Sequence, residues 1–262
     1  MIHGNNGSGD GGGVAMFRCD GTRFADNSIS FNRAANGGGV DLLESDRFEG
    51  RGDSICSNIC DKTGGGIRLR DLSYLTLNGE FIRGNGAAQE GSGLHATGSA
   101  MLTLSFNPTN PTVIDLNSGA HDLHNGNDYS SSSDPCAPGN IDGRHVWWGT
   151  TNSETIASSV YDHHDDPGRG LVVTEPFIDF TADVRVHGAG SVSNTAGAID
   201  AAVPGRMLTL TAHPDSHWTL AAWSNYLAGT ESATNVMIRG DVVIDAWFQP
   251  ELATNRVPLW WL

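Results

Sequence analysis

The sequence predicts an all-β protein: a parallel β-helix over residues 1–180, a small β-rich domain over 183–250 and a tail over 251–262. Three observations carry the prediction. A motif recurs at nearly fixed spacing in the first half, apolar and polar residues alternate within it, and the texture of the chain changes after about Asp183.

The motif reads "GGGVAMF" from Gly11, "GGGVDLL" from Gly37, "GGGIRLR" from Gly64 and, more weakly, "GSGLHAT" from Gly91. Its first apolar residues, Val14, Val40, Ile67 and Leu94, recur at steps of 26, 27 and 27 residues. Ile29, Ile55 and Ile82 keep the same register, and so do Asn32, Asn58 and Asn85. A fixed period of this length marks a solenoid. Pairs such as Val14 and Met16, or Ile67 and Leu69, follow the two-residue period of a half-buried strand, so each coil is built of short strands and turns. Stacking coils about 4.8 Å apart predicts an inward column of Val14, Val40, Ile67 and Leu94, a second of the three isoleucines, and a ladder of the three asparagines at a turn.

Composition bounds what such a chain can do. At 262 residues and 38 % hydrophobic content it can bury a sizeable core. Its net charge of −15 argues against nucleic acid and anionic membranes as partners and favours divalent cations. The 34 glycines show no Gly-X-Y period and are read as repeated tight turns. No apolar run approaches the roughly 18 residues of a membrane helix, so no membrane insertion is expected. The start, Met1-Ile2-His3-Gly4, is not that of a signal peptide. Of the four cysteines, Cys56 and Cys60 are the nearest candidates for a disulfide, with two free buried thiols as the alternative.

The stretch "SISFNRAANGGGV" from Ser28 resembles the GGG[IV] and N-x-A repeats of bacterial surface β-helix proteins, which are right-handed parallel β-helices of the pectate-lyase-like type. The resemblance covers about Gly4 to Phe177. It implies the fold and an extracellular or cell-surface location. It does not imply an activity, because such repeats serve lyases, hydrolases, epimerases, adhesins and passive surface proteins alike. "HVWWGTT" followed by "SSVYDHHDDPGRGLVVTEPFI" is similar to the C-terminal end of many of these proteins, through Trp147, Trp148, Tyr161, Asp162, Asp165, Asp166 and Pro167. The similarity implies a cap, with the tryptophans over the apolar column and an amphipathic turn from Glu154 to Val160 across it. At the other end the first coil begins at once, at "HGNNGSGDGGGV", where the family has a capping element. The expectation is a longer parent chain or a truncated frame, with an uncapped coil open to self-association through its strand edges.

From Asp183 the chain reads "VRVHGAGSVSN", "GRMLTLTAHPDSHWTLAAWS" and "NVMIRGDVVIDAWF". Met207, Thr209 and Thr211 alternate with Leu208, Leu210 and Ala212, and Arg239-Gly240-Asp241 is a hairpin cue. Gly188, Gly190, Val192, then Thr209 to Pro214, Trp223-Ser224 and Ala246 to Phe248 resemble the bacterial repeat domain related to internalin-type B-repeats, which implies a spacer or adhesive unit without chemistry of its own. The tail "VPLWWL" fits neither pattern.

No G-x-S-x-G elbow, Walker loop or H-E-x-x-H helix is present. Two clusters do have ligand chemistry. "HDLHNGND" offers His121, Asp122, His124 and Asp128; "DHHDD" offers Asp162, His163, His164, Asp165 and Asp166. Imidazole with carboxylate suits zinc, and several Asp and Asn oxygens suit calcium, so a divalent metal is the expected cofactor, with His121, Asp122, His124, Asp128, Asp162, His164 and Asp165 as candidate ligands. On an extended strand Asp162 and His164 face away from His163, so one ion takes only a subset. The structural alternative has Asp165 and Asp166 bonding backbone amides of the cap. Two function classes follow. One is a surface module that binds polysaccharide along a flat side. The other is a metal-dependent hydrolase opening a small ester or lactone, such as an acyl-homoserine lactone, with His163, His164 and Asp166 as catalytic candidates. A polysaccharide lyase is a third variant, with Arg68, Arg70 or Arg83 as base.

Overall fold

The computed structural model describes residues 1–105, 110–129, 132–134, 137–178, 182–194, 207–238 and 241–252. It divides into two compact units, Met1–Asp179 and Phe180–Leu262.

In the first unit the chain winds through β1 (Ile2–His3), β2 (Val14–Phe17) and β3 (Arg23–Ala25), then β4 (Ser28–Ser30), β5 (Arg33–Ala34), β6 (Val40–Leu43) and β7 (Phe48–Arg51). The next coils are β8 (Ser54–Cys56), β9 (Ile59–Cys60), β10 (Ile67–Arg70) and β11 (Tyr74–Asn78), followed by β12 (Phe81–Arg83), β13 (Gly86–Ala87), β14 (Leu94–Thr97) and β15 (Met101–Ser105). β16 (Val113–Asp115), β17 (Leu123–Gly126), β18 (Ile141–Asp142), α1 (Ser153–Ser158), β19 (Val160–Tyr161) and β20 (Val172–Val173) complete it. Each strand pairs in parallel with its counterpart one coil away. The result is a five-stranded sheet β1-β4-β8-β12-β16, two six-stranded sheets β2-β6-β10-β14-β17-β19 and β3-β7-β11-β15-β18-β20, and the short ladder β5-β9-β13. This is a parallel β-helix. Among the described residues no helix is long and apolar enough to cross a membrane.

The predicted columns are in place. Ile29 pairs with Ile55 and Ile55 with Ile82, all within a few per cent of full burial. Val14, Val40, Ile67 and Leu94 are in register, and the column runs on through Leu123 to Val160. The asparagine ladder is longer than the repeat suggested. Asn5, Asn32, Asn58 and Asn85 each donate both backbone N–H and side-chain Nδ2 to the Oδ1 of the asparagine one coil on, ending at Asn117, at 2.9–3.1 Å. The ladder stands where the chain turns a left-handed corner, at Phe31, Ser57, Gly84 and Leu116, and its amides serve backbone groups that the corner removes from the sheets.

The corner after the second sheet strand is less comfortable. Asn27 N–H donates to Asp53 Oδ1, and Asp53 N–H donates to Glu80 Oε2, so two buried carboxylates follow one another along the axis. Burial, aided by Asp53, pushes the Glu80 carboxyl up to about 9. Folding therefore favours its protonated form. Below the ordinary carboxyl value of 4.5 this costs nothing; from there to about pH 9 the unfolded chain ionises freely while the folded chain cannot, and stability falls as pH rises. At roughly 1.4 kcal/mol per pH unit, Glu80→Gln should raise stability at pH 7 by up to about 3 kcal/mol and leave it unchanged at pH 4, measured as thermal midpoints at the two pH values.

The C-terminal end closes as a cap, with one correction. Trp148 joins the core beside Ile156, Val160 and Val172, and Ile156 is the buried residue of α1. Asn152 caps that helix by accepting the Thr155 N–H at 2.9 Å. Trp147 is buried outside that cluster. It extends the first sheet beyond Val113, its main chain bonding Thr112 and Ile114, and its indole lies near Asp115, whose carboxyl it helps to hold down against burial. A second correction concerns sulfur. Cys56 and Cys60 are free thiols, because the Ser57 corner separates their strands and Cys56 Sγ is engaged 3.2 Å from Ser54 Oγ and 3.6 Å from the Phe81 carbonyl. Cys136 lies outside the described residues.

The second unit has two three-stranded sheets. β21 (Ala182–His187) runs parallel to β26 (Val242–Pro250), which pairs antiparallel with β24 (Trp218–Asn225); β22 (Gly190–Asn194), β23 (Met207–Pro214) and β25 (Ala233–Met237) form the other, antiparallel sheet. Leu208, Leu210 and Ala212 face the core, as their alternation predicts. Of the hairpin cue read at Arg239-Gly240-Asp241, Arg239 and Gly240 lie outside the described residues; the flanking strands β25 and β26 belong to different sheets. The "VPLWWL" tail also lies outside them.

Candidate metal centre

The outward row of the second sheet runs Ala15, Asp41, Arg68, His95, His124, Tyr161. Outward residues of a solenoid are ordinarily solvated, yet Asp41, Arg68, His95 and His124 are buried. The repeat's first glycine explains this. Gly11, Gly37, Gly64 and Gly91 have positive φ, and a Cβ on any of them would stand 2.6–2.7 Å from the Cβ of Ala15, Asp41, Arg68 or His95. Only glycine lets the turn fold this close over the row.

In the fourth coil that turn carries Glu90 to the histidines. Glu90 Oε2 is 3.5 Å from His95 Nε2 and 3.5 Å from His124 Nε2. Among the described residues this is the group of three His, Cys, Asp or Glu donors whose ligand atoms all lie within 4.8 Å of one another. The distance is long for a hydrogen bond but close to the separation of about 3.3–3.5 Å that two ligands have across a tetrahedral zinc ion. The rings of His95 and His124 stack at 4.9 Å, and Tyr161 stacks on His124 at 4.5 Å, the spacing of neighbouring coils. His121 packs against Tyr161 at 5.3 Å. Burial, with His124 and Arg68 nearby, pushes His95 down to about 3, and burial likewise lowers His124 against the pull of Glu90. Both imidazoles are neutral at physiological pH, the state that binds a metal. Their Nδ1 atoms are buried and without a hydrogen-bond partner, so the stacking on neighbouring coils is what orients the rings.

Of the residues singled out in the sequence, His124 is in this group and His121 is beside it. Asp122 is not. Its carboxyl accepts from Asn117 at the end of the asparagine ladder, and burial pushes it up to about 6. Asp128 is 98 % exposed, 3.9 Å from Arg169. The "DHHDD" residues close the cap's return turn. Asp162 is buried and accepts the N–H groups of His164 (2.8 Å) and Val172 (2.7 Å) as well as His164 Nδ1 (3.0 Å). Asp165 accepts the Asp162 N–H, and Asp166 accepts the Gly168 N–H and Arg169 Nε. His163 stacks on Tyr129 and donates to the Arg169 carbonyl, while the His164 side chain is 77 % exposed. The lyase bases are committed too: Arg68 and Arg70 to Asp41 and Asp10, Arg83 to Asp115. Glu90 and His95 were missed. One more step of the register finds His95, because Leu123 follows Leu94 by 29 residues and sets His124 directly beside it; Glu90 carries no such signal, since it reaches the pair from the turn.

The second unit carries none of these groups. Its glycines, Gly188 and Gly190, stand where a Cβ would meet the backbone or ring of Phe248, which is why the G-x-G and the closing A-x-F occur together. Residues 180–252 match the divergent InlB B-repeat domain. The internalin-type resemblance of that segment is therefore shown. No curated protein and no solved structure matches the chain. In the B-repeat unit Trp223 is buried, its indole donating to the Glu231 carbonyl at 2.8 Å, so it serves the core.

Proposed function

We propose that the β-helix is a surface-type module that holds a zinc-class divalent ion at Glu90, His95 and His124 and presents its long faces to polysaccharide. The observation that carries the metal is the pair of buried, neutral imidazoles directed at one carboxylate oxygen. Two nitrogens and one carboxylate favour zinc over calcium, which takes six to eight oxygens. The B-repeat match at 180–252 and the parallel β-helix support work at a cell surface. One observation favours the hydrolytic alternative: Glu90 is half exposed, so three protein ligands would leave a fourth position for water, which could open a small ester or lactone.

Zinc binding to the chelator-stripped protein, followed by calorimetry, tests the site. One equivalent should bind, and His124→Ala or Glu90→Gln should weaken it at least about 100-fold, whereas His164→Ala should leave it within a factor of about three. Equal zinc affinity in His124→Ala and the parent would sink the reading. Esterase or lactonase turnover that chelator abolishes and zinc restores would decide for the hydrolase.

A further inference from the structure

The outer face of the sheet β21-β26-β24 carries an aromatic platform, and we infer that it binds a neutral saccharide, with the apolar side of one sugar ring lying on Trp247. Along β26, Ile244, Ala246 and Phe248 enter the core while Asp245 and Trp247 alternate to the other side. Trp247 is 45 % exposed. It is also held fast. Its ring lies parallel on His187 at 3.8 Å and 9°, and its indole Nε1 donates to Ser224 Oγ at 3.0 Å. His187 Nε2 is 2.8 Å from Asp245 Oδ1, and the Asn225 amide donates to the other oxygen of the nearly buried Asp245. Four polar side chains thus fix one indole at the surface. That is preorganisation a bare exposed tryptophan would not have, and it lowers the entropy lost on binding.

Among the described residues, the second face of the ring looks toward β24. The residue opposite Trp247 on β24 is Ala222, whose methyl is too small to cover an indole. A flat ring lying over Ala222 would meet Trp247 on one side and the polar side chains of Ser224 and Asn225 on β24 beside it, while His187 backs the indole from its other face. An apolar helix or peptide needs a row of apolar anchors, whereas the outward row here sets Val243 among the charged Asp183, Arg185 and Asp245. A pyranose fits both features: its C–H face carries slight positive charge against the negative face of the indole, and its hydroxyls suit the polar side chains beside it. Arg185 is already paired with Asp183, at 2.8 Å, and is not left to hold an acidic sugar, so in a chain of net charge −15 a neutral sugar is favoured over a uronate.

Affinity electrophoresis of the full chain, run with chelator so that any metal site is empty, tests this independently of zinc. Native gels would contain a soluble neutral β-glucan, mannan or xylan, with polygalacturonate as the charged comparison. At least one neutral polymer should retard the parent protein. Trp247→Ala should weaken that retardation at least tenfold, and Ala222→Leu, which keeps the platform but fills the space beside it, should do the same with an unchanged melting midpoint. His187→Ala should weaken it several-fold. If no neutral polymer retards the protein, if polygalacturonate alone does, or if Trp247→Ala and Ala222→Leu migrate like the parent, the inference is wrong.

Discussion

Asn58→Ala should cost about 3–5 kcal/mol of unfolding free energy, read from urea titration, although it removes no apolar contact of note. Asn58 is fully buried. Its Oδ1 accepts the backbone N–H and the side-chain Nδ2 of Asn32, both at 3.0 Å, and its Nδ2 donates to the Ile29 carbonyl at 2.9 Å and to Asn85 Oδ1 at 3.1 Å. Alanine deletes all four bonds and strands a buried N–H and a buried carbonyl, each orphan costing about 1–3 kcal/mol. Asn36, a half-buried member of a neighbouring row that donates to Asp10 and accepts from the Thr63 hydroxyl, is the control; its replacement should cost about 1 kcal/mol or less. Equal costs for the two would mean that the ladder does not hold the corner.

Trp148→Ala should destabilise by a similar about 3–5 kcal/mol, because it uncovers the end of the apolar column at Ile156, Val160 and Val172. Trp148→Phe separates burial from hydrogen bonding. The buried indole Nε1 of Trp148 has no hydrogen-bond partner in the structure, so phenylalanine forfeits volume but no bond and should cost less than about 2 kcal/mol. If phenylalanine cost as much as alanine, a hidden partner of the indole would have to be sought. Trp147→Ala differs in kind, since its loss also removes a polar neighbour of the buried Asp115.

The fold was legible because its signal is redundant: the same period is written in glycines, in inward apolar residues and in asparagines, and any one of them sets the register of the others. The metal candidate was half legible. His124 announced itself in a run with His121 and Asp122, but neighbours in sequence are not neighbours in space on a strand. Asp122 ends in the asparagine ladder, whereas the partners of His124 are His95, one coil back, and Glu90, on the turn above it. The "DHHDD" run misled for the same local reason. Its density of ionisable groups reflects a tight turn that needs carboxylate acceptors for backbone N–H groups, as Asp162 shows with His164 and Val172.

The glycine turn folded over the outward row has a consequence for how such a protein changes over time. Inward and outward residues alternate on every strand, so the row beneath the turns can be rewritten coil by coil while the core stays as it is. Alanine, aspartate, arginine and histidine already occupy equivalent places in successive coils, at Ala15, Asp41, Arg68 and His95. A substitution there, together with one on the turn above it, exchanges an ion pair such as Asp41 with Arg68 for an imidazole and carboxylate such as His95 with Glu90. Heritage and novelty are kept on opposite sides of the same strand, and a solenoid of this kind can acquire, move or lose a site without the long search that a globular core would demand.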